Sequence, residues 1–222
     1  MQNFQVNVLS KRYGISLVPD PAFTQRVYRA RQLICGQYAC WAAEMHMLHL
    51  PLIQYFACQE NVLSTLISIL ESVSNRTVGQ NEPIYLISEG VSHSFDNTGE
   101  IYLDFNPLTK DSPAKSPALH RLYFGIQNEL QNLEGITLNV GHNATNFAPR
   151  INLMQHAELP PAVFESAAVF ATSVVEELTV PSQTKAWQLV LIRYTSNAAG
   201  EDWDQGLWAN DLSWNLIGTY PI

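Results

Sequence analysis

The stretch Leu48-His-Leu-Pro-Leu52 lies within Glu44–Tyr55, a stiff and apolar run that predicts a β-strand. Proline donates no backbone hydrogen bond, so Pro51 must lie at a sheet edge, at a strand end or at a bulge. Side chains alternate between the two faces of a strand, which places His49 and Pro51 on the same face. The same alternation puts His46 on the opposite face, where we expect it to have a structural role.

A second stretch of this kind, Phe147-Ala-Pro-Arg-Ile-Asn-Leu153, lies in the second half of the chain. It predicts a short strand over Phe147–Met154, with Arg150 and Asn152 on one face. Each half of the chain therefore carries one such strand, which we call a motif strand.

The predicted elements around the motif strands follow the same order in both halves, namely helix, strand, helix and hairpin. A strand over Gly14–Val18 comes before the first helix, whose apolar positions recur at helical spacing: Phe23, Val27, Ala30 and Leu33. The other predicted elements are helices over Gln59–Ser74, Ala118–Leu133 and Pro161–Leu178, a hairpin of Ile84–Val91 and Glu100–Phe105, and strands over Trp187–Tyr194 and Leu212–Tyr220.

A polar segment with two prolines, Thr109–Pro117, interrupts this pattern at mid-chain and predicts a crossing between the halves. We expect a single bilobal α+β domain over residues 1–222. Its lobes are interleaved, and its pseudo-repeated halves span roughly residues 1–108 and 118–222.

The composition, with 46% apolar and 14% charged residues among 222, is typical of a folded globule. Lysine and arginine number 12 against 20 aspartates and glutamates, which gives a formal charge of −8 and a pI near 5.1. This balance argues against a broad basic surface for duplex nucleic acid or for anionic lipid.

The three cysteines, Cys35, Cys40 and Cys58, are too few for a secreted disulfide scaffold, and their spacing suits zinc poorly. The sequence shows no signal-peptide pattern, and no apolar run reaches the ~18 residues of a membrane span. Its glycines form neither a Rossmann nor a P-loop pattern. We expect a cytoplasmic protein that lacks a membrane span, a metal ion and a cofactor.

The two motif strands resemble the paired motifs of the 2H phosphoesterase superfamily, which includes LigT-like, RNA 2′-5′ ligase and cyclic phosphodiesterase proteins. Leu48–Leu52 resembles the first motif, H-x-[S/T], and Phe147–Leu153 resembles the second, F-x-P-H-[IL]-T-L. Weaker similarity continues along nearly the whole chain, in Ala118-Leu-His-Arg-Leu122, Gln188-Leu-Val-Leu-Ile-Arg-Tyr194 and Leu216-Ile-Gly-Thr-Tyr220. The resemblance implies two lobes of antiparallel sheet, with flanking helices, around a central cleft.

In that family each lobe contributes one histidine and one hydroxyl residue to a scissile phosphodiester. One imidazole takes a proton from the attacking hydroxyl, the other donates one to the leaving oxygen, and the hydroxyls hold the phosphoryl oxygens. Of these four positions only His49 keeps the family residue here. Pro51 stands in place of the first hydroxyl, Arg150 in place of the second histidine and Asn152 in place of the second hydroxyl.

These substitutions favour binding of a phosphodiester over its cleavage. Arg150, with a pKa above ~12, cannot exchange a proton near neutral pH, although its guanidinium can pair with phosphate. Asn152 can donate a hydrogen bond to a phosphoryl oxygen, whereas Pro51 only shapes the wall. Losing one acid–base partner costs ~10²–10⁴ in rate.

Three functions therefore follow from the sequence. The first is a degenerate 2H-type protein that holds a nucleotide or a cyclic mono-, di- or oligonucleotide, as in sequestration of a nucleotide signal. The second is a metal-independent phosphodiesterase in which His49 works with His142, His156 or a water molecule. The third is a non-catalytic protein that binds a partner through its Trp-rich C-terminal region, which contains Trp203, Trp208 and Trp214.

Aromatic residues near the predicted strand ends are candidates for stacking on a nucleobase. These ligand-binding candidates are Tyr13, Tyr55 and Tyr194, with Trp187 beside them. The alternative for each of them is a place in the hydrophobic core, which is the commoner role of such residues.

Overall fold

The computed structural model describes residues 9–105, 116–138, 147–203 and 205–222. The described strands are β1 Ser10–Pro19, β2 Leu50–Cys58, β3 Tyr85–Ile87, β4 Gly90–Phe95, β5 Gly99–Asp104, β6 Ile136–Thr137, β7 Arg150–Ala157, β8 Gln183–Ser196 and β9 Ser213–Pro221. The described α-helices are α1 Pro21–Tyr38, α2 Leu63–Gly79, α3 Pro117–Gln131 and α4 Pro161–Glu177. The predicted α+β class is confirmed. None of these helices is both long and apolar enough to cross a membrane.

The strands form two antiparallel sheets. In the larger sheet β8 pairs with β1 along one edge and with β3 and β9 along the other, and β2 and β6 follow beyond β1. The smaller sheet has the order β4-β5-β7. Each sheet therefore contains strands from both halves of the chain, because the hairpin of one half pairs with strands of the other.

The helices cover the sheets with apolar faces. Helix α1 begins at Pro21, and the Asp20 side chain caps it by accepting hydrogen bonds from the backbone N–H groups of Ala22 and Phe23. It packs against α4 and β7, whereas α2 contacts α3 and β9. The buried positions of α1 include Phe23, Val27, Ala30 and Ile34.

Several element predictions need correction. The first motif strand begins at Leu50 instead of Glu44, because Ala42–Met45 forms a short 3-10 helix. The run Ile84–Val91 is divided, since β3 pairs with β8 and only β4 pairs with β5 in the hairpin. Leu33 is exposed, and Ile34 takes its place in the buried stripe of α1. Most of the predicted crossing Thr109–Pro117 lies outside the described residues, and Pro117 begins α3.

Candidate functional site

The two motif strands meet at a small cavity between the sheets, which we call the motif cavity. Its volume is about 10 Å³, which is enough for about one water molecule. The structure brings His49, Pro51 and Asn152 together there, whereas Arg150 does not line it. The lining residues are Arg31, Ala43, His46, His49, Pro51, Gln54, Asn152 and Gln155.

Both motif strands contain a β-bulge at the same distance from the motif. The bulged pairs are Gln54–Tyr55 in β2 and Gln155–His156 in β7, where the register shifts against the neighbouring strand. Tyr55 has φ +56° and His156 has φ +49°, in the left-handed region that non-glycine residues rarely adopt. A bulge re-aims side chains, and Gln54 and Gln155 both line the motif cavity. The two halves thus share a local backbone feature as well as a motif.

His49 is held by hydrogen bonds on both ring nitrogens. Nδ1 donates to the Met47 carbonyl over 2.6 Å, and Nε2 accepts from the Gln54 amide over 3.0 Å. These partners require the neutral imidazole, because a carbonyl only accepts and an amide NH₂ only donates. Burial lowers the pKa of His49 to about 4. The ring is therefore neutral near pH 7, and both of its proton-transfer positions are engaged within the protein.

His46 lies beside His49 instead of on the opposite face, with the ring centroids 5.9 Å apart. The alternation rule fails here because residues 46–49 precede β2 and are not extended as a strand. Tyr55 shares a 3.1 Å hydrogen bond with Nε2 of His46, and burial lowers the pKa of His46 well below its ordinary value. His46 has the structural setting that the sequence predicts, but it is in the motif cavity.

Arg31 is a buried residue of the site that the sequence interpretation missed. Its guanidinium donates to three backbone carbonyls, those of Ala43, His46 and Asn152, at 3.0 to 3.1 Å. It therefore joins α1 to the turn before β2 and to β7. The available signal was its position on the buried stripe of α1, four residues after Val27.

Asn152 directs its amide to a protein acceptor. Its Nδ2 donates to Oε1 of Gln155 over 2.5 Å, and Nε2 of Gln155 donates to the Ala42 carbonyl over 3.3 Å. This chain of hydrogen bonds ties β7 to the turn before β2. One N–H of the Asn152 amide is therefore engaged within the protein, whereas its Oδ1 has no partner among the described residues.

Arg150 lies on the polar face of the smaller sheet, outside the motif cavity. Its Nη2 is 2.9 Å from Oε2 of Glu100, and its guanidinium lies over the ring of Tyr102, 5.0 Å from the centroid. About a third of the Arg150 side-chain surface, 35%, is accessible to solvent. A phosphate could reach this guanidinium from solvent, in competition with the Glu100 carboxylate.

Two of the three candidate tyrosines, Tyr13 and Tyr194, are buried, and Tyr55 is partly buried. Tyr13 lies in the main core against Phe56. Tyr194 belongs to a second apolar cluster with Trp203 and Trp208, and Tyr55 packs against that cluster. A base could stack on these rings only after displacing protein side chains. Two of the three tryptophans proposed for partner binding, Trp203 and Trp208, are therefore also buried, whereas Trp214 and Trp187 are partly exposed.

His156 lies at an opening of the molecule where two wider pockets meet. One pocket has a volume of about 460 Å³ and the other about 620 Å³, and both are lined by Thr98, His156, Gln205 and Leu207. The His156 ring packs edge-on against Trp208, with centroids 5.2 Å apart, and burial lowers its pKa. His142, the other histidine considered as a partner of His49, lies outside the described residues.

No protein-family model matches the chain. No curated protein sequence matches it either. Its chemistry therefore has to be inferred from the geometry of the two places described above: the motif cavity, and the open pockets beside Arg150 and His156. Among the described residues, no group of three or more His, Cys, Asp or Glu side chains could hold a metal ion.

Proposed function

We propose that this chain is a non-catalytic protein with a 2H phosphoesterase-like fold, which binds a phosphodiester-containing nucleotide without hydrolysing it. The observation that carries the proposal is the state of His49. Both of its ring nitrogens are engaged, and the cavity beside it has room for about one water molecule. General acid–base catalysis needs an imidazole that can reach the reacting oxygen and exchange a proton with it.

The equivalent bulges support the paired-motif fold in this proposal. Bulges re-aim side chains at particular strand positions, and here they occur six residues after His49 and six after Arg150. The two motif strands carry the same feature, and each sheet combines strands from both halves of the chain. Both observations fit a pseudo-repeat of one unit.

The ligand in this proposal lies on the open side, next to Arg150. Arginine pairs with phosphate through charge-assisted hydrogen bonds, and Arg150 is reachable from solvent. The adjoining pocket of about 620 Å³ is lined by Ser94, Thr98 and Glu100 among others, and its size lies within the range of small-molecule sites. Because Glu100 holds the guanidinium, binding includes an exchange of carboxylate for phosphate.

The test is a binding screen against cyclic and linear nucleotides, with mass spectrometry of the material released on denaturation. We expect one nucleotide class to be recovered intact. Arg150→Ala should weaken its affinity at least ten-fold, which is typical of losing a charge-assisted contact. Glu100→Gln should tighten binding by up to about five-fold, because it removes a competitor worth roughly 0.2–1 kcal/mol.

Arg76→Ala is the matched control, since Arg76 is an exposed arginine of α2 that pairs with Glu129 of α3. It should leave the affinity unchanged. Recovery of cleaved nucleotide would instead support the phosphodiesterase. If no nucleotide binds, the partner-binding function is favoured, with Trp214 as the exposed tryptophan of the Trp-rich C-terminal region to examine.

A further inference from the structure

The pocket of about 460 Å³ lies between the end of α1, the bulge of β7 and the short 3-10 helix Leu207–Asn210. It opens into the pocket of about 620 Å³, because His156 and Thr98 line both pockets. Glu100, the ion-pair partner of Arg150, lines that second pocket. Two large apolar side chains at this pocket are exposed: Trp41 keeps 53% of its accessible surface and Leu207 keeps 54%. An exposed tryptophan in a preformed pocket is a stacking surface for a flat ring.

The polar groups of this pocket are hydrogen-bond acceptors and amides instead of cations. Gln155, Gln205 and Asn210 supply amides, and Glu158 supplies a carboxylate. No lysine or arginine occurs among the described residues that line this pocket. A ligand group that carries hydrogen-bond donors therefore suits it better than an anion does.

Glu158 determines which hydrogen-bond donors a ligand of this pocket needs. It is exposed, and it forms no hydrogen bond or ion pair with the part of the chain that the structure describes. A carboxylate has two oxygens and can accept two parallel N–H donors. The ring that suits it best carries two neighbouring N–H groups on one edge.

We propose that this pocket binds a guanine-type base, with its face on Trp41 and its N1–H and N2–H groups donating to Glu158. The inference rests on the proposed function, which places the phosphodiester of the same ligand at Arg150. Adenine presents a donor next to an acceptor on the equivalent edge, so its ring nitrogen would face the carboxylate with no proton between them. The pocket should therefore discriminate between the two purines.

His156 and Gly206 shape the junction between the base pocket and the Arg150 region. A Cβ atom at Gly206 would lie 2.3 Å from Cε1 of His156, so only glycine lets the ring take this position. Gly206 also has φ +76°, which glycine adopts without steric cost. The imidazole thus lies at the border that the two pockets share, where the sugar of the ligand would lie.

The test is calorimetric titration of the whole protein with guanosine and adenosine 3′,5′-cyclic monophosphate and with the two nucleosides. We expect the guanine cyclic nucleotide to bind at least ten-fold more tightly than the adenine one. Glu158→Gln should reduce this preference to about two-fold or less, because an amide offers one acceptor where the carboxylate offers two. Trp41→Ala should weaken both cyclic nucleotides about ten-fold, as expected for a lost stacking contact.

Tyr28→Ala is the matched control, because Tyr28 is an exposed aromatic residue of α1 that lines neither pocket. It should leave the affinities of all four compounds unchanged. Equal binding of both cyclic nucleotides, lost in Arg150→Ala, would overturn the base pocket and leave the proposed function standing. Binding of the guanine cyclic nucleotide that Arg150→Ala does not affect but Glu158→Gln abolishes would support the base pocket and count against the phosphate site. Absence of binding by all four compounds would overturn the base pocket, whereas the proposed function is overturned only by absence of binding in the wider nucleotide screen.

Discussion

The buried position of His49 makes the stability of the folded protein depend on pH, because protonating this imidazole is unfavourable inside the fold. Burial lowers its pKa to about 4 in the folded protein, against ~6.5 for an exposed histidine. The unfolded chain therefore takes up a proton more readily than the folded one. The folded state has its full stability above pH ~6.5 and loses it as the pH falls toward 4.

We predict that the free energy of unfolding falls by about 2 kcal/mol between pH ~7.5 and ~5 through His49 alone. Burial shifts His46 in the same direction, so it adds to this loss. The measurement is urea denaturation at the two pH values. His49→Gln should reduce the difference between them by about 2 kcal/mol, whatever its effect at pH 7.5.

Gln131→Ala is the control for that measurement, because Gln131 is an exposed residue of α3 that does not titrate. Its pH dependence should follow that of the unmodified protein. An identical pH dependence in His49→Gln would show that the imidazole is not held neutral by burial.

At the residue scale the sequence indicates which motif residues meet in the cavity, but not which hydrogen bonds they form there. His49, Pro51 and Asn152 meet in one cavity, as the resemblance to the paired motifs implies, whereas Arg150, which it places there with them, does not line it. The engagement of His49 by Gln54 depends on the bulge at Tyr55, and no rule of strand alternation contains it. The buried role of Arg31 could not be predicted, because arginine is mostly exposed and the three carbonyl groups that it binds come from distant parts of the chain.

The helices and long strands follow from local patterns. The stripe of α1, the proline that starts α4 and the continuous apolar run of β8 could all be predicted from the sequence, since each depends on neighbours in the chain. The pairing of β3 with β8 and the existence of the two-residue β6 could not, because the pairing partners are far away in sequence. Short strands carry little signal of their own.

The end of α1 allows a test at the scale of one element. Ala39 follows the helix with φ +54°, in the left-handed region, where an L residue pays about 1 kcal/mol relative to glycine. Ala39→Gly should therefore raise the free energy of unfolding by about 1 kcal/mol. Thermal denaturation followed by circular dichroism measures the change.

Gln37→Gly is the control for Ala39→Gly, because it introduces glycine two residues earlier, at a position with helical backbone angles. Gln37 is exposed inside α1, where glycine should lower stability by about 1 kcal/mol. A loss of stability in both variants would mean that the left-handed turn at Ala39 does not form.

At the scale of the whole molecule the two sheets exchange strands between the halves of the chain. Strands β1 and β2 pair with the β8–β9 side, and β7 pairs with the β4–β5 hairpin. Neither half contains a complete sheet. The sequence predicts the repeated order of elements, but which strands pair depends on contacts between distant residues.

We predict that two fragments divided within residues 106–115 do not fold separately. Each should lack a cooperative unfolding transition, because each leaves the edges of both sheets unpaired. Mixing them should restore the transition and the circular dichroism spectrum of the intact chain. Independent folding of either fragment would contradict the exchange of strands.

The placement of β8 between β1 and β9 also determines how the protein would respond to a mechanical load. Ser10 of β1 pairs with Ser196 at one end of β8, and Pro221 of β9 pairs with Gln188 toward the other. Both neighbours run antiparallel to β8, so β1 and β9 run in the same direction. A pull that separates the start of β1 from the end of β9 acts along the strands, in shear. Many backbone hydrogen bonds then resist together instead of opening one after another, as they would in an unzipping hairpin.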